Sequence, residues 1–208
     1  MSNHIWYAAY GSNMMEERFL CYIRGGTPAG STTTYLGCAD QSLPVKSEDC
    51  YINSELYFAR KSTTWNNGGV AFIKNNFAPS ASTFAKIYLI TEEQFNQVVA
   101  QEIKTPGIAI NFTQTKRNGS SIIKQNSWYG RIIYLGDQGG FPMFTFTAEN
   151  DHVDINRPND NYLKTIIKGI QESHDVDDIT IMDYLLSTEG IDGNIDPQQL
   201  HEIITTIE

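Results

Sequence analysis

Ile5–Asn13, with the sequence Ile-Trp-Tyr-Ala-Ala-Tyr-Gly-Ser-Asn, is the stretch that decides how the rest of the chain is interpreted. Its first half is apolar and β-prone, and it stops abruptly at Gly11. The residues that follow, from Met14 to about residue 24, have the apolar spacing of a helix. Ser12 or Asn13 can cap this helix, and two glutamates occupy its first turn, where carboxylates suit the positive end of the helix dipole.

The predicted order of strand, tight glycine turn and helix has two interpretations. Such a turn directs backbone N–H groups toward one point, which makes a site for a small anion. The same residue types also serve an ordinary strand-to-helix connection, in which small residues only meet the needs of the turn. The local pattern leaves both interpretations open.

Composition limits the classes of function. The chain has 208 residues, a mass of 23.4 kDa and a hydrophobic fraction of 40%, which is enough for one domain with a core. A net charge of −9 argues against a nucleic-acid-binding surface, which needs a basic face. We expect no leader peptide, no transmembrane helix and no membrane partner. Three widely spaced cysteines indicate a reducing, cytoplasmic compartment.

Strands dominate the first three quarters of the chain. Besides the first strand, we predict Asn53–Arg60, Val70–Ile73, Thr83–Ile90, Ser127–Leu135 and Phe141–Thr147, with a further short strand within Cys38–Val45. Ile108–Thr115 and Ser121–Lys124 flank Asn118-Gly119, which predicts a β-hairpin.

Helices dominate the last quarter. One earlier helix is predicted from Glu92 to about Ile103, because Thr91 and Gln94 have the spacing of a capping box. Later helices are predicted after Pro158, over Asp177–Ser187, and after Asp196-Pro197, in which proline takes the first helical position. This order predicts an α+β fold with a small mixed, partly closed β-barrel, flanking helices and additional C-terminal helices.

Glu102 is the most informative single residue. Phe95, Val98 and Val99 define the buried face of the predicted helix, and the next turn of that face reaches Glu102. A carboxylate at a core-facing position is unusual, because an unpaired buried charge is costly. Either Glu102 is ion-paired or turned outward at the helix end, or it faces a cavity and serves as a general acid/base.

The remaining polar residues suggest no other chemistry. The four histidines, His4, His152, His174 and His201, have no metal-ligand spacing, and the aspartates around Asp177 are expected to cap a helix. Ser12 lacks the surroundings of a serine nucleophile. We predict no metal and no cofactor.

Four motifs, in the same order along the chain, resemble the γ-glutamylcyclotransferase-like family. They are Tyr10-Gly11-Ser12-Asn13, Trp65 with Gly68-Gly69-Val70-Ala71, Gln101-Glu102 on a helix, and Pro158 leading into a helix that carries Tyr162. Together they cover residues 5 to about 170.

The resemblance implies an enzyme that releases 5-oxoproline from an L-γ-glutamyl amine or amino acid by intramolecular attack, classified as a lyase or an acyltransferase. It assigns Glu102 as the catalytic acid/base, and Tyr10, Gly11, Ser12, Asn13 and Tyr162 as substrate-binding residues. It implies no metal, no cofactor and no covalent intermediate.

The chain also departs from the family pattern. Ile103 replaces the glycine that follows the catalytic glutamate, a longer insert precedes Trp65, and about 35 residues follow Ser173. The Tyr-Gly-Ser-Asn loop differs from the Tyr-Gly-Ser-Leu loop of the glutathione-specific relatives, which argues against glutathione as substrate. We therefore predict a γ-glutamylcyclotransferase-like domain over residues 1–172 and a helical extension over 173–208. The alternative function is a non-catalytic module that binds an amino-acid-like molecule, and the extension could form a homodimer or partner surface.

Overall fold

A computed structural model describes residues 3–29 and 31–207 of the chain. Met1 and Glu208, the outer bounds of the two predicted segments, lie outside the described residues.

The strands form two sheets. The larger has six strands in the order β2-β5-β1-β8-β7-β6, and the smaller pairs β3 with β4. The strands are β1 (His4–Ala9), β2 (Lys46–Ile52), β3 (Leu56–Ser62), β4 (Gly68–Ile73), β5 (Thr83–Thr91), β6 (Ser120–Ile122), β7 (Arg131–Gln138) and β8 (Phe141–Thr147). The larger sheet is mixed, since β1 runs parallel to β8 with Trp6 opposite Met143, whereas β7 is antiparallel to β8.

The helices are α1 (Glu16–Arg24), α2 (Glu92–Glu102), α3 (Phe112–Asn118), α4 (Asp160–Ser173), α5 (Asp178–Leu186) and α6 (Pro197–Thr205). Together with the two sheets they confirm the predicted α+β class. The strand order is that of an open sheet with β2 and β6 at its edges, so the partly closed barrel that we expected is not shown.

The chain divides into two compact units, each built from several segments. The first contains the residues up to Ala9, Glu17–Cys50 and Ile87–Asn150. Its core is rich in aromatic pairs; the Tyr7 ring, for example, stacks on that of Phe146 at 5.4 Å and meets that of Phe95 edge-on at 5.6 Å. Such ring pairs stabilise a core beyond their buried area.

The second unit contains Tyr10–Glu16, Tyr51–Lys86 and the residues from Asp151 onward. One apolar stripe of α4 is fully buried in it, at Leu163, Ile166, Ile167 and Ile170. The C-terminal residues pack on the β3–β4 sheet: the Phe58 N–H donates to the Glu189 carbonyl, and the Lys74 ammonium lies 2.6 Å from the Glu189 carboxylate.

Predicted helix caps are confirmed at three places. Thr91 and Gln94 form the complete capping box of α2. The Asp177 side chain accepts a hydrogen bond from the Thr180 N–H at the start of α5, and Asp196 caps α6 ahead of the proline at its first position.

The predicted hairpin at Asn118-Gly119 is wrong. Residues Phe112–Asn118 form α3, which is capped by the Asn111 side chain and ends at Gly119 in a left-handed conformation with φ of 78°. The Asn-Gly pair therefore ends a helix, because a positive-φ glycine serves a helix C-terminus as well as a hairpin turn.

The strand predicted within Cys38–Val45 is also wrong. That segment has no regular structure, and the strand begins at Lys46 instead. The sequence of β2, Lys-Ser-Glu-Asp-Cys-Tyr-Ile, is mostly polar and lies at the edge of its sheet, so it lacks the apolar signal on which the prediction depended.

Candidate functional site

The glycine loop lies in the second unit. After β1 the chain passes through Tyr10 and Gly11 into a short 3-10 turn over Ser12–Met14, and Tyr10 and Asn13 are each 5% exposed. A Cβ atom on Gly11 would lie 3.3 Å from the Ala71 Cβ and 3.4 Å from the Tyr162 hydroxyl. The loop therefore packs directly against two of the other motifs, Gly68–Ala71 and the α4 start.

Tyr162 is fixed by the same motifs. Its hydroxyl oxygen accepts a hydrogen bond from the Ala71 N–H at 3.0 Å, and its ring lies 4.7 Å from that of Trp65. The side chain is 3% exposed. Four predicted motif elements, Gly11, Trp65, Ala71 and Tyr162, are thus brought together in one unit.

Gly68 and Gly69 have a steric role in this cluster. A Cβ on Gly68 would lie 2.5 Å from the Asn159 backbone nitrogen, and one on Gly69 would lie 2.1 Å from the Asn156 carbonyl oxygen. Neither position can hold a side chain without moving the backbone that leads into α4. The two glycines therefore let the Pro158 segment approach β4 closely.

The predicted cap of the first helix is wrong. The 3-10 turn has no side-chain cap, and α1 begins only at Glu16. Its Glu16 N–H donates instead to the Glu172 carboxylate of α4, 3.1 Å away. This cap comes from a residue 156 positions later, so local sequence could not reveal it.

Glu102 belongs to the first unit. It is the last residue of α2, and Phe95, Val98 and Val99 of the same helix are fully buried, as predicted. Glu102 itself is half-buried. The carboxylate therefore lies at the border of the core, at the end of the buried face of α2.

Three side chains of the same unit form a hydrogen-bonded chain that ends at Glu102. The Tyr22 hydroxyl is hydrogen-bonded both to the Glu102 carboxylate and, at 2.9 Å, to the Tyr35 hydroxyl. The Arg18 guanidinium donates to the Tyr35 hydroxyl at 3.1 Å. Tyr22 and Arg18 are buried, at 2% and 5% exposed, and their two α1 positions are one helical turn apart.

The electrostatics of this chain keep both phenols protonated. Burial raises the pKa of Tyr22 well above its ordinary value, and the negative charge of Glu102 acts in the same direction. Burial and Glu102 also raise the pKa of Tyr35, against an opposing effect of Arg18. Both groups therefore keep their protons at neutral pH, and Glu102 is a hydrogen-bond partner of Tyr22.

Glutamines of α2 hold the segment that carries Tyr35. The Gln101 side chain accepts from the Gly37 N–H at 3.3 Å and donates to the Tyr22 carbonyl at 3.0 Å. One turn earlier the Gln97 side chain accepts from the Ala39 N–H at 2.7 Å. Gln101 therefore connects the two segments that present the phenols.

The sequence did not indicate Arg18 or Tyr35 as site residues. Tyr22 lies in the predicted first helix without any polar pattern around it, and Tyr35 stands in an irregular segment without periodicity. The one available signal was the length of the insert after the first helix. The predicted site residues fall in both units: Glu102 in the first, and Tyr10–Asn13 with Tyr162 in the second.

Within residues 3–29 and 31–207, no group of three or more His, Cys, Asp or Glu side chains could hold a metal ion. In the same part of the chain, none of the helices has the length and apolar character needed to cross a membrane.

Comparison with solved structures defines the fold. A structure described as a gamma-glutamyl cyclotransferase superimposes with a TM-score of 0.51 at 17% identity, covering 98% of this chain and 99% of that one. A human protein described as uncharacterised superimposes with a TM-score of 0.52 at 18% identity and the same coverage. The chain therefore has the gamma-glutamyl cyclotransferase fold.

Comparison of sequences finds a relative whose description differs from those of the structural neighbours. The chain is 34% identical over 185 residues to histone deacetylase 5 of Arabidopsis thaliana, an alignment that covers 81% of this chain. It spans only 28% of the length of that protein. No protein-family model matches the chain.

Proposed function

We propose that the chain is a γ-glutamylcyclotransferase-type enzyme that converts an L-γ-glutamyl amine or amino acid into 5-oxoproline and a free amine. The observation that carries this proposal is the placement of Glu102 in the gamma-glutamyl cyclotransferase fold. It is a half-buried carboxylate at the end of α2, and a buried phenol donates to it.

The proposed reaction needs only proton transfer and positioning. Glu102 takes a proton from the α-ammonium group of the substrate, and the resulting amine nitrogen attacks the γ-carbonyl carbon. The new C–N bond closes the five-membered ring and the original amide C–N bond breaks. The α-nitrogen loses a second proton as it becomes the lactam N–H, and Glu102 passes both protons in turn to the leaving nitrogen, which departs as an ammonium group. Because nucleophile and electrophile belong to one molecule, a fixed conformation supplies much of the rate enhancement.

The residues Tyr10, Gly11, Ser12 and Asn13 are assigned to substrate binding, together with Tyr162. Backbone N–H groups of a glycine turn suit a carboxylate, and the substrate carries one next to its reacting amine. The packing of Gly11 against Ala71 and Tyr162 supports a rigid loop at this position. The form of the loop favours a γ-glutamyl amine or amino acid over glutathione.

Further parts of the proposal concern the setting of the enzyme. We place the catalytic domain within residues 1–172 and treat 173–208 as an extension packed on it, available for a homodimer contact. A reducing, cytoplasmic compartment suits Cys21, Cys38 and Cys50, which form no disulfide among the described residues. The reaction as proposed uses no metal and no cofactor.

The test is an assay of 5-oxoproline release from a panel of γ-glutamyl amines, γ-glutamyl amino acids and glutathione. We expect Glu102→Gln to lower kcat by about 10²- to 10⁴-fold while substrate still binds, because the amide keeps the shape but cannot accept the proton. Glu93→Gln is the matched control, since Glu93 is an exposed glutamate on the same helix and should leave kcat unchanged. Near-normal activity in Glu102→Gln would refute the assignment.

The second candidate function is a binding module for an amino-acid-like molecule. It is favoured by one observation: the Glu102 carboxylate already has a hydrogen-bond partner in Tyr22. The relative from Arabidopsis thaliana is also far longer than this chain, as expected if the fold can serve as one segment of a larger protein. Binding of a γ-glutamyl compound by calorimetry, with no 5-oxoproline formed from any member of the panel, would favour this function.

A further inference from the structure

The insert after α1 places a second phenol and a cation behind the proposed catalytic carboxylate. Tyr35 lies in this insert, and its hydroxyl is shared between Tyr22 and Arg18. The two tyrosine rings are in contact as well, with centroids 4.0 Å apart. This arrangement forms one continuous series of polar groups from Arg18 to Glu102.

We propose that Tyr22 and Tyr35 are positioning residues for Glu102, and that the chain Arg18–Tyr35–Tyr22–Glu102 holds this carboxylate ionised and oriented before it accepts a proton. The catalytic part of this inference, that Glu102 is the acid/base of the reaction, rests on the proposed function. Its structural part, that the phenols control the ionisation of Glu102, can be measured without any turnover.

The proton count of the chain supports this direction. A phenol has one proton to donate, and its oxygen can also accept. Arg18 can only donate, and the Tyr35 oxygen accepts from it and from the Tyr22 hydroxyl, 2.9 Å away. Rotation of the Tyr22 hydroxyl turns this proton to an ionised Glu102 instead, and the Tyr22 oxygen can then accept the proton of Tyr35.

The same oxygen positions also allow hydrogen bonds when the Glu102 carboxyl group is protonated. If Glu102 carries a proton, it can donate to Tyr22, and Tyr22 can turn its own proton to Tyr35, which stays within 2.9 Å. Both states required of an acid/base are therefore satisfied by rotation of hydroxyl groups alone. No heavy atom has to move between proton uptake and proton return.

Other groups also lie near the chain. From α1, Tyr22 and Arg18 face Glu102 and Tyr35, and Cys21 lies near Tyr35. From beyond α2, the Lys124 ammonium donates to the Ile103 carbonyl at 3.2 Å and to the Thr105 hydroxyl at 2.5 Å. Tyr22 is hydrogen-bonded to Glu102 and Tyr35 is hydrogen-bonded to Tyr22, so removal of these two hydroxyls tests the inference.

The test compares Tyr22→Phe and Tyr35→Phe with wild type and with Tyr134→Phe. Tyr134 is a matched control in the same unit, because its hydroxyl donates to the Asp137 carboxylate at 2.7 Å and a lysine ammonium, that of Lys116, completes the group. This group has the same three parts as the Glu102 chain, namely a phenol, a carboxylate and a cation, but no function is assigned to it. Thermal melts of all variants verify that each is folded.

The first readout is the titration of the Glu102 side-chain carboxyl, followed by ¹³C NMR and assigned by its absence in Glu102→Gln. A hydrogen bond donated to a carboxylate favours the charged form, so its loss should move the titration midpoint to higher pH, by about one pH unit in Tyr22→Phe. We expect a smaller shift in Tyr35→Phe and none in Tyr134→Phe. Equal midpoints in wild type and Tyr22→Phe would overturn the inference; should Tyr22→Phe fail to fold, the same comparison with Tyr35→Phe decides it.

The second readout is kinetic. Tyr22→Phe should lower kcat by about 10- to 100-fold, the worth of one hydrogen bond to a charged group, with KM changed by less than about threefold. A raised KM with unchanged kcat would instead assign Tyr22 to substrate binding and refute its positioning role. If wild type itself forms no 5-oxoproline, the proposed function fails, while the NMR titration still decides whether the phenols control Glu102.

Discussion

Substitution of Gly169 by alanine tests how closely α4 approaches the glycine loop. A Cβ at Gly169 would lie 2.6 Å from the Met14 Cβ, 2.6 Å from the Met15 backbone nitrogen and 2.8 Å from the Met14 carbonyl carbon. Two of these three atoms are backbone, so the clash cannot be relieved by turning one side chain. Either α4 or the Ser12–Met14 turn has to move.

The expected magnitude combines two opposing terms. Alanine favours a helix interior over glycine by about 1 kcal/mol. Overpacking typically costs about 1–3 kcal/mol, and contacts below 3 Å to backbone place this site at the upper end of that range. The net change is a loss of about 2 kcal/mol in the free energy of unfolding, which corresponds to a Tm lowered by about 4–8 °C for a chain of this size.

The assay is urea unfolding followed by circular dichroism, with thermal melts as a second measurement. Thr165→Ala on the same helix is the control; its hydroxyl bonds only to the Asn161 carbonyl within the helix, and its effect should stay within about 0.5 kcal/mol. The sign of the change in unfolding free energy distinguishes the two cases. At a helical glycine without close neighbours, substitution by alanine makes the protein more stable. An increase in stability would refute the close packing of α4 on the loop.

Three further predictions concern helix ends. Thr91→Ala removes half of the capping box of α2 and should cost about 1 kcal/mol in urea unfolding, whereas no change would mean that the box contributes nothing. Asn111→Ala should lower the free energy of unfolding by a similar amount, because Asn111 caps α3. A neutral or stabilising effect would contradict this capping role. Hydrogen bonds from Thr180 lower the pKa of Asp177, so this carboxylate stabilises the fold above its unfolded pKa near 4 and loses that contribution as pH falls through its lower folded value. Stability measured from pH 6 to pH 2 should therefore decline less steeply in Asp177→Asn, and identical slopes would contradict the assignment.

Local signals in the sequence were sufficient for the elements with strong caps and a regular apolar face. The capping box at Thr91 fixed the start of α2, and the spacing from Phe95 to Val99 extended correctly to Glu102. β8 was predicted with its exact bounds, Phe141–Thr147, because its alternation is regular. In each case the information lay within a few neighbouring residues.

Features that depend on distant contacts could not be predicted. The polar edge strand β2 gains its hydrogen bonds from a neighbouring strand, and α1 takes its cap from Glu172. Tyr35 has no pattern of its own. Its place depends on contacts with Tyr22 and Arg18, on the Gln101 side chain that holds Gly37, and on the backbone bridge to Gly26. The glutamate was therefore foreseeable from the sequence, but the groups that surround it were not.

Release of 5-oxoproline by the purified chain is the most direct test of the central claim. The assay compares wild type, Glu102→Gln and Glu93→Gln on the same panel of γ-glutamyl amines, γ-glutamyl amino acids and glutathione. The account predicts product from at least one non-glutathione member with wild type and Glu93→Gln, and a loss of at least about 100-fold in kcat with Glu102→Gln. Equal product formation by Glu102→Gln, or none by wild type with any member of the panel, would contradict it.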